Sequence, residues 1–103
     1  MTVAHDEVTR TTPARGAVLK NLPPRVSMTF GETVGRLDEV TIARNGRGDF
    51  ARSARIDPRN ASRVVAVLER PGGKARKCAW KVTWRITSAD GHKQVLRATF
   101  RVR

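Results

Sequence analysis

Two side chains able to bind a metal lie two positions apart near the end of the sequence. Asp90 and His92 belong to the segment SADGHKQ, which follows an alternating apolar segment, and the other histidine, His5, is close to the start. Imidazole nitrogen and carboxylate oxygen suit divalent transition metals, and copper(II) binds such donors in tetragonal geometry. The same residues also fit a solvated histidine beside an Asp-Gly turn in which the aspartate caps its own backbone.

His5 would be a stronger ligand if it were the first residue of the chain. The small residues of the segment TVA precede it, as at the cleavage site of an export signal. Cleavage after Ala4 would give His5 a free α-amine whose pKa is about 7.7–8.0, so copper could displace its proton at neutral pH. Amine and imidazole would then close a chelate ring, while His92 would add a third nitrogen and Asp90 an oxygen. The alternative is a chain that keeps a short N-terminal tail.

The elements that must position these side chains are predicted to be β-strands. Apolar and polar residues alternate with period two in several segments, as in strands with one buried face. The turn signals between them include Asn45-Gly46 and Pro71-Gly72-Gly73. The alternating segments are RVSMTFGE, with Val26, Met28 and Phe30 on one face; DEVTIARNGRGDF, with Val40 and Ile42; ASRVVAVLE; CAWKVTWRI, with Cys78, Trp80, Val82, Trp84 and Ile86; and VLRATFRVR, with Leu96, Ala98, Phe100 and Val102.

Several short strands with turns between them predict a two-sheet antiparallel sandwich or barrel. The 103 residues suffice for one domain. The last two strands should form a hairpin joined by SADGHK, and the turn-rich segment TTPARGAVLKNLPP is expected to be a connection rather than an element. No run of about 18 apolar residues is present, which excludes a membrane-spanning helix.

The positive charge is concentrated in the second half of the chain. Residues 1–51 carry 7 Lys and Arg against 6 Asp and Glu, whereas residues 52–103 carry 14 against 3. Such a field attracts nucleic acid, phosphate-rich surfaces or acidic proteins, although it also fits a solvated sheet face. Nucleic acid is disfavoured because Trp80 and Trp84 point inward and cannot stack on bases. The basic side chains expected to face outward are Lys81, Arg85, Arg97, Arg101 and Arg103.

The single cysteine, Cys78, excludes an intramolecular disulfide framework and a multi-cysteine zinc site. Its place in the alternation, on the side of Trp80 and Val82, favours a small buried residue over a reactive or metal-binding thiol.

The whole chain resembles the CopC family of small periplasmic copper-binding proteins. AHDEVTRTTPARGAVL resembles the family's opening, in which a histidine at the mature terminus precedes an S-x-P-x-x-G turn, here Thr12-Pro13-Ala14-Arg15-Gly16. PPRVSMTFGETV resembles the family's next strand, with Glu32 at its acidic position. The most specific match is WKVTWRITSADGH, which resembles an aromatic residue followed by V-x-W-R-V-x-S-x-D-x-H.

The resemblance implies an Ig-like Greek-key β-sandwich of about seven antiparallel strands that binds copper(II) in the periplasm or outside the cell. Residues 5–103 would form the copper-binding domain and residues 1–4 a residual leader or tag. The protein would be a monomeric, non-enzymatic copper carrier or store, with a membrane copper transporter as a candidate partner. The implied ligands are His5, through amine and imidazole, Asp90 and His92, with Glu32 as an additional contact.

The chain departs from the family pattern in three ways. The sequence begins at Met1, and if residues 1–4 are retained His5 offers an imidazole and an amide instead of a free α-amine. Met1 and Met28 are its only methionines, and Met28 has a core position, so no thioether copper(I) site is expected. Lys93 replaces the family's usual proline and places a positive charge beside the proposed cation. The alternatives are a basic β module that binds anionic partners, with the metal role reduced or lost, and a copper oxidase or mono-oxygenase.

Overall fold

The computed structural model describes residues 8–69 and 78–103, and these residues form eight β-strands in two packed sheets. Sheet A has the strand order β1-β3-β6-β5, and sheet B has the order β2-β8-β7-β4. The predicted all-β Greek-key sandwich is therefore confirmed. The strands are β1 (Val8–Thr12), β2 (Val18–Leu19), β3 (Arg25–Phe30), β4 (Val34–Arg44), β5 (Ala51–Asp57), β6 (Asn60–Leu68), β7 (Ala79–Ser88) and β8 (Lys93–Val102). These described ranges contain no helix with the length and apolar character that a membrane crossing requires.

The prediction for the segment TTPARGAVLKNLPP was wrong in part. Its first two residues end β1, and Val18–Leu19 form β2, which pairs in parallel with the end of β8. Backbone hydrogen bonds explain this pairing, because the Arg101 N–H donates to Ala17 O at 2.8 Å and the Arg103 N–H to Leu19 O at 2.9 Å. The edge of β8 thus satisfies polar groups that would otherwise need water. A two-residue strand has no visible period, so the sequence pattern could not reveal it.

The core lies between the sheets and consists of the inward halves of the alternating strands. Trp80 is one of its largest fully buried side chains. Its ring lies edge-on to Phe50 at a centroid distance of 5.3 Å and is stacked with Phe100 at 6.4 Å. These geometries are the favourable ones for aromatic pairs. The predicted inward faces are confirmed by the buried residues Val26, Met28, Phe30, Ile42, Trp80, Val82, Trp84, Ile86, Phe100 and Val102. The other predicted inward residues, Val40, Cys78, Leu96 and Ala98, pack against this core but are only partly buried. Strand β6 adds the buried residues Val64, Ala66 and Leu68.

The strand β4 ends at the turn that Asn45-Gly46 predicted. Both residues have positive φ, 49° and 79°, and Arg44 and Arg47 exchange backbone hydrogen bonds of 2.9 Å across it. Asparagine and glycine tolerate this left-handed conformation best. The chain then passes to β5 in the other sheet. Among the strands that the structure describes, β4 pairs with β7 alone, and its register shifts twice, between Val34 and Arg36 and between Leu37 and Glu39.

One end of the sandwich collects the chain segments expected to carry the site. The start of β1 lies there, because Val8 pairs with Phe30 at the end of β3. Residues 31–33 then cross from sheet A to sheet B, and residues 89–92 connect β7 to β8 beside them. The Ala89 N–H donates to Thr33 O at 2.9 Å and joins the two connections. We call this end, residues 31–33 and 89–92, the loop end.

Candidate metal centre

The candidate site is built on the tight turn between β7 and β8, and Ser88 organises this turn. Ser88 is 2% exposed because it continues the inward alternation of β7. Its backbone N–H donates to His92 O at 2.8 Å, and the Gly91 N–H donates to Ser88 O at 2.9 Å. Its hydroxyl donates to Asp90 Oδ1 and accepts from the His92 N–H at 3.2 Å. One buried serine therefore fixes the positions of both candidate ligands.

Two glycines permit this arrangement. Gly91 has a φ of +93°, which side-chain-bearing residues rarely adopt. Gly35 faces the base of the turn from β4, where a Cβ would lie 3.1 Å from Ser88 O and 3.2 Å from the Ala89 Cα. The absence of a side chain at Gly35 thus lets the adjoining strand approach the turn closely.

Asp90 and His92 are brought together as the sequence predicted. Asp90 Oδ2 lies 3.7 Å from His92 Nδ1, and the two side chains are 49% and 62% exposed. Bonds from imidazole and carboxylate to a divalent ion such as zinc are about 2.0–2.2 Å long, so two donors of one ion lie at most about 4.2 Å apart. The pair meets this limit and remains open to solvent.

The two oxygens of Asp90 have different surroundings. Oδ1 accepts from the Ser88 hydroxyl and, at 3.4 Å, from the His92 N–H, whereas Oδ2 faces the imidazole. The aspartate therefore does cap its own turn, and that contact leaves the second oxygen facing the histidine. Capping and metal binding are compatible uses of this carboxylate.

Glu32 lies in the neighbouring connection of the loop end and is half-buried. No group of three His, Cys, Asp or Glu side chains within residues 8–69 and 78–103 is arranged to hold a metal ion. Asp90 and His92 thus form a two-donor half-site in the described part of the chain. His5, the third predicted ligand, lies outside the described residues.

The two sulfur-bearing candidates lie away from the loop end. Met28 is fully buried in the core, as predicted. Cys78 precedes β7 at the opposite end, and the ten residues of that strand span about 30 Å. Burial raises the pKa of the Cys78 thiol above its usual value. The distance along β7 separates Cys78 from the half-site.

A second carboxylate, that of Asp38, lies beside the turn, and both of its oxygens contact other side chains. Thr87 Oγ1 donates to Asp38 Oδ2 at 2.7 Å, and Arg36 pairs with Asp38 Oδ1. The Thr87 hydroxyl is the main cause that lowers the pKa of Asp38 below its ordinary value of 3.8, with Arg36 and Lys93 adding to the effect. The charged carboxylate of Asp38 therefore links β4 to Thr87, near the end of β7.

This contact predicts a pH dependence of stability. Since the folded pKa of Asp38 is depressed, its contribution is present above pH 3.8 and is lost as the pH falls through the folded value. Replacing Thr87 by valine should lower the free energy of unfolding at neutral pH, and the difference from the parent should shrink in acid. Urea unfolding followed across this range measures it. Thr83→Val, on the same face of β7, is the matched control, and a Thr87→Val deficit that stays constant with pH would contradict the assignment.

Ser88 is the functional residue that reading the sequence missed. A signal for it was present, because the inward positions 80, 82, 84 and 86 lead directly to position 88. A hydroxyl at the last inward position of a strand, just before Asp-Gly, indicates a residue that ties the turn to the sheet.

Comparison with curated protein sequences gives no match. Comparison with solved structures agrees with this architecture. The chain is similar in structure to CopC from Methylosinus trichosporium OB3b, with a TM-score of 0.81 and 17% identity over 95% of this chain and 93% of that one. It is also similar to PcoC from Escherichia coli, described as a methionine-rich copper resistance protein, with a TM-score of 0.68 and 19% identity over 97% and 100% of the two chains. At these identities the likeness shows the fold.

The family of this chain is identified by a match of its sequence to a known domain. The CopC domain matches residues 8–103, which include all eight strands and the turn that carries Asp90 and His92. The chain belongs to the CopC domain family.

Proposed function

We propose that this protein binds one copper(II) ion at the loop end and serves in copper sequestration or transfer outside the cytoplasm. The observation that carries the proposal is the Asp90–His92 pair, held by Ser88 with its donors 3.7 Å apart, in a chain of the CopC family. The ligands are Asp90 Oδ2, the His92 imidazole and His5, with Glu32 as a further contact. Copper is the cargo, and the protein is a binder rather than an enzyme.

The route of the chain supports the participation of His5. His5 is three positions before Val8, and three residues of extended chain span at most about 11 Å. Val8 begins β1 in sheet A at the loop end, while His92 follows β7 in sheet B. Stacked sheets lie about 10 Å apart. Three residues before Val8 can therefore cover about one inter-sheet spacing, which supports His5 as a ligand.

The donor chemistry supports copper(II). Two imidazoles, one α-amine and one carboxylate make a nitrogen-rich set of the kind that copper(II) takes in tetragonal geometry. The α-amine requires that the chain be cut after Ala4, so residues 5–103 are the proposed binding domain and residues 1–4 a leader or tag. Such processing fits a periplasmic or extracellular monomer that exchanges copper with a membrane transporter.

A copper(II) titration of the chain that begins at His5 tests the proposal. We expect saturation at one equivalent and an electron paramagnetic resonance spectrum typical of tetragonal copper(II) with nitrogen ligands. Cys78→Ser is the matched control: it removes the strongest alternative ligand, some 30 Å from the turn, and should leave stoichiometry and spectrum unchanged. Weak, unsaturable uptake, or a spectrum that depends on Cys78, would favour a CopC scaffold that has lost its metal role.

A further inference from the structure

The outer face of sheet A carries a basic cleft that shares no residue with the metal half-site. A cleft of about 390 Å³ lies across β1, β3 and the start of β6. The side chains that line it are donors or carry hydroxyl groups, and none is a carboxylate; they are Arg10, Thr12, Thr29, Asn60 and Arg63. Its volume falls in the range of about 300–1,000 Å³ typical of small-molecule sites.

The register of the sheet explains why two arginines meet here. Arg10 of β1 and Arg63 of β6 both pair with Thr29 of β3, one from each side. Their backbones are thus two strand spacings apart, about 10 Å. Arg10 and Arg63 thus lie on the two strands that flank Thr29, and all three residues line the cleft, so an anion bound there can meet a guanidinium from each strand.

Arg63 is held in place before any ligand arrives. Its Nη1 donates to Asp57 Oδ2 at 3.2 Å and its Nη2 to Ser27 Oγ at 3.4 Å, while its side chain remains 42% exposed. Five N–H donors make up a guanidinium, so these two bonds leave donor capacity on the exposed side. Fixing the group in advance reduces the entropy lost on binding.

Asn60 presents its donor end as well. Its Oδ1 accepts from the Ser62 N–H at 3.0 Å, which assigns the amide nitrogen as the part left for the cleft. The lining therefore combines two cations with amide and hydroxyl donors.

The neighbouring surface adds positive charge. Arg25 and Arg55 line two further clefts of about 300 and 250 Å³ on the same face. Asp57, bound to Arg63, is the one carboxylate among the described residues that line these three clefts. Such a field raises the local concentration of anions and their rate of association.

We propose that Arg10 and Arg63 form a binding site for a phosphate group, with Thr12, Thr29 and Asn60 as additional donors. A carboxylate has two oxygens in one plane and satisfies one arginine fork, whereas a tetrahedral oxyanion directs oxygens to two forks and a hydroxyl at once. The cleft is larger than a bare oxyanion needs, which leaves room for the organic part of a phosphate ester.

The test is a titration of the metal-free chain with inorganic phosphate, followed by backbone amide chemical shifts at constant ionic strength. A chelator is included so that copper phosphate complexes do not contribute. We expect saturable shifts at Thr12, Thr29 and Asn60, and weaker binding by about tenfold or more in Arg10→Gln, since a charge-assisted hydrogen bond is lost. Arg10 is exposed on an edge strand, so this variant should fold normally.

Arg97→Gln is the matched control, because it removes the same charge from the outer face of the other sheet. It should leave the dissociation constant within about twofold, as expected for a distant, screened charge. Glycerol phosphate binding more tightly than inorganic phosphate would identify an ester as the ligand, and the reverse would identify free phosphate; both support the site. Unsaturable shifts, equal binding of acetate, or equal weakening by Arg97→Gln would overturn it.

Discussion

Replacing His92 by alanine is expected to abolish the tetragonal copper(II) signal at one equivalent. The imidazole is one of three strong nitrogen donors in the proposed set, and Asp90 Oδ2 cannot replace it with a second bond of similar strength. Losing even an outer hydrogen-bond partner of a metal ligand costs about 10–100-fold in affinity, so losing the ligand itself should cost at least about 100-fold. Competition with a chelator of known affinity measures the change.

The His92→Ala variant tests copper binding separately from folding because the His92 side chain is exposed. Its side chain is 62% exposed, and the hydrogen bonds that hold the turn come from its backbone. The free energy of unfolding should therefore change by no more than about 0.5 kcal/mol. Lys93→Ala is the matched control: it truncates the next exposed side chain and removes a positive charge beside the proposed ion, so affinity should stay the same or rise. Retention of the signal in His92→Ala would exclude the proposed site.

The position of the chain's first residue should have an effect of similar size. A chain that begins at His5 is expected to bind copper(II) orders of magnitude more tightly than one that begins at Met1. In the shorter chain His5 offers an α-amine whose pKa of about 7.7–8.0 allows copper to displace the proton at neutral pH. In the longer chain the same nitrogen is an amide, whose proton is held far more strongly, and the chelate ring is lost. Parallel chelator competitions on the two purified chains measure the ratio.

A third chain that begins at Asp6 separates the amine from the imidazole of His5. It has a free α-amine but no N-terminal histidine, so its affinity should fall to that of the longer chain or below. Equal affinities for the chains that begin at Met1 and at His5 would show that the amine takes no part. In that case His92 and Asp90 would have to find their further ligands elsewhere at the loop end.

The strands were predictable because their period is local. The side chains at positions 80, 82, 84 and 86 are confirmed as inward, and Asn45-Gly46 is confirmed as a turn, since both signals occupy a few consecutive residues. Strand β2 was not predictable. Its two residues are extended because β8 offers them backbone partners about 80 positions away, and no local pattern records such a partner.

The candidate site divides in the same way. Asp90 and His92 were predictable because they share one turn, and their side chains do approach to 3.7 Å. Whether Glu32 and His5 join them depends on how the N-terminal segment, residues 31–33 and residues 89–92 meet. The participation of His5 as a ligand remains a prediction. The cleft between Arg10 and Arg63 was invisible for a related reason, because only the strand register places residues 53 positions apart on either side of Thr29.

The irregular pairing of β4 has a consequence for how the molecules behave at high concentration. An eleven-residue strand at a sheet border can present a row of amide and carbonyl groups onto which a second molecule could add its own strand. Near the end of β4, Ile42 and Arg44 already form backbone hydrogen bonds within this chain. The two breaks in register, near Gly35 and Asp38, interrupt that row and increase its local twist. A flat incoming strand could form only a few consecutive backbone hydrogen bonds with β4 before the register no longer matched. We therefore expect this edge to resist growth into fibrils, although the whole strand still packs in the sandwich.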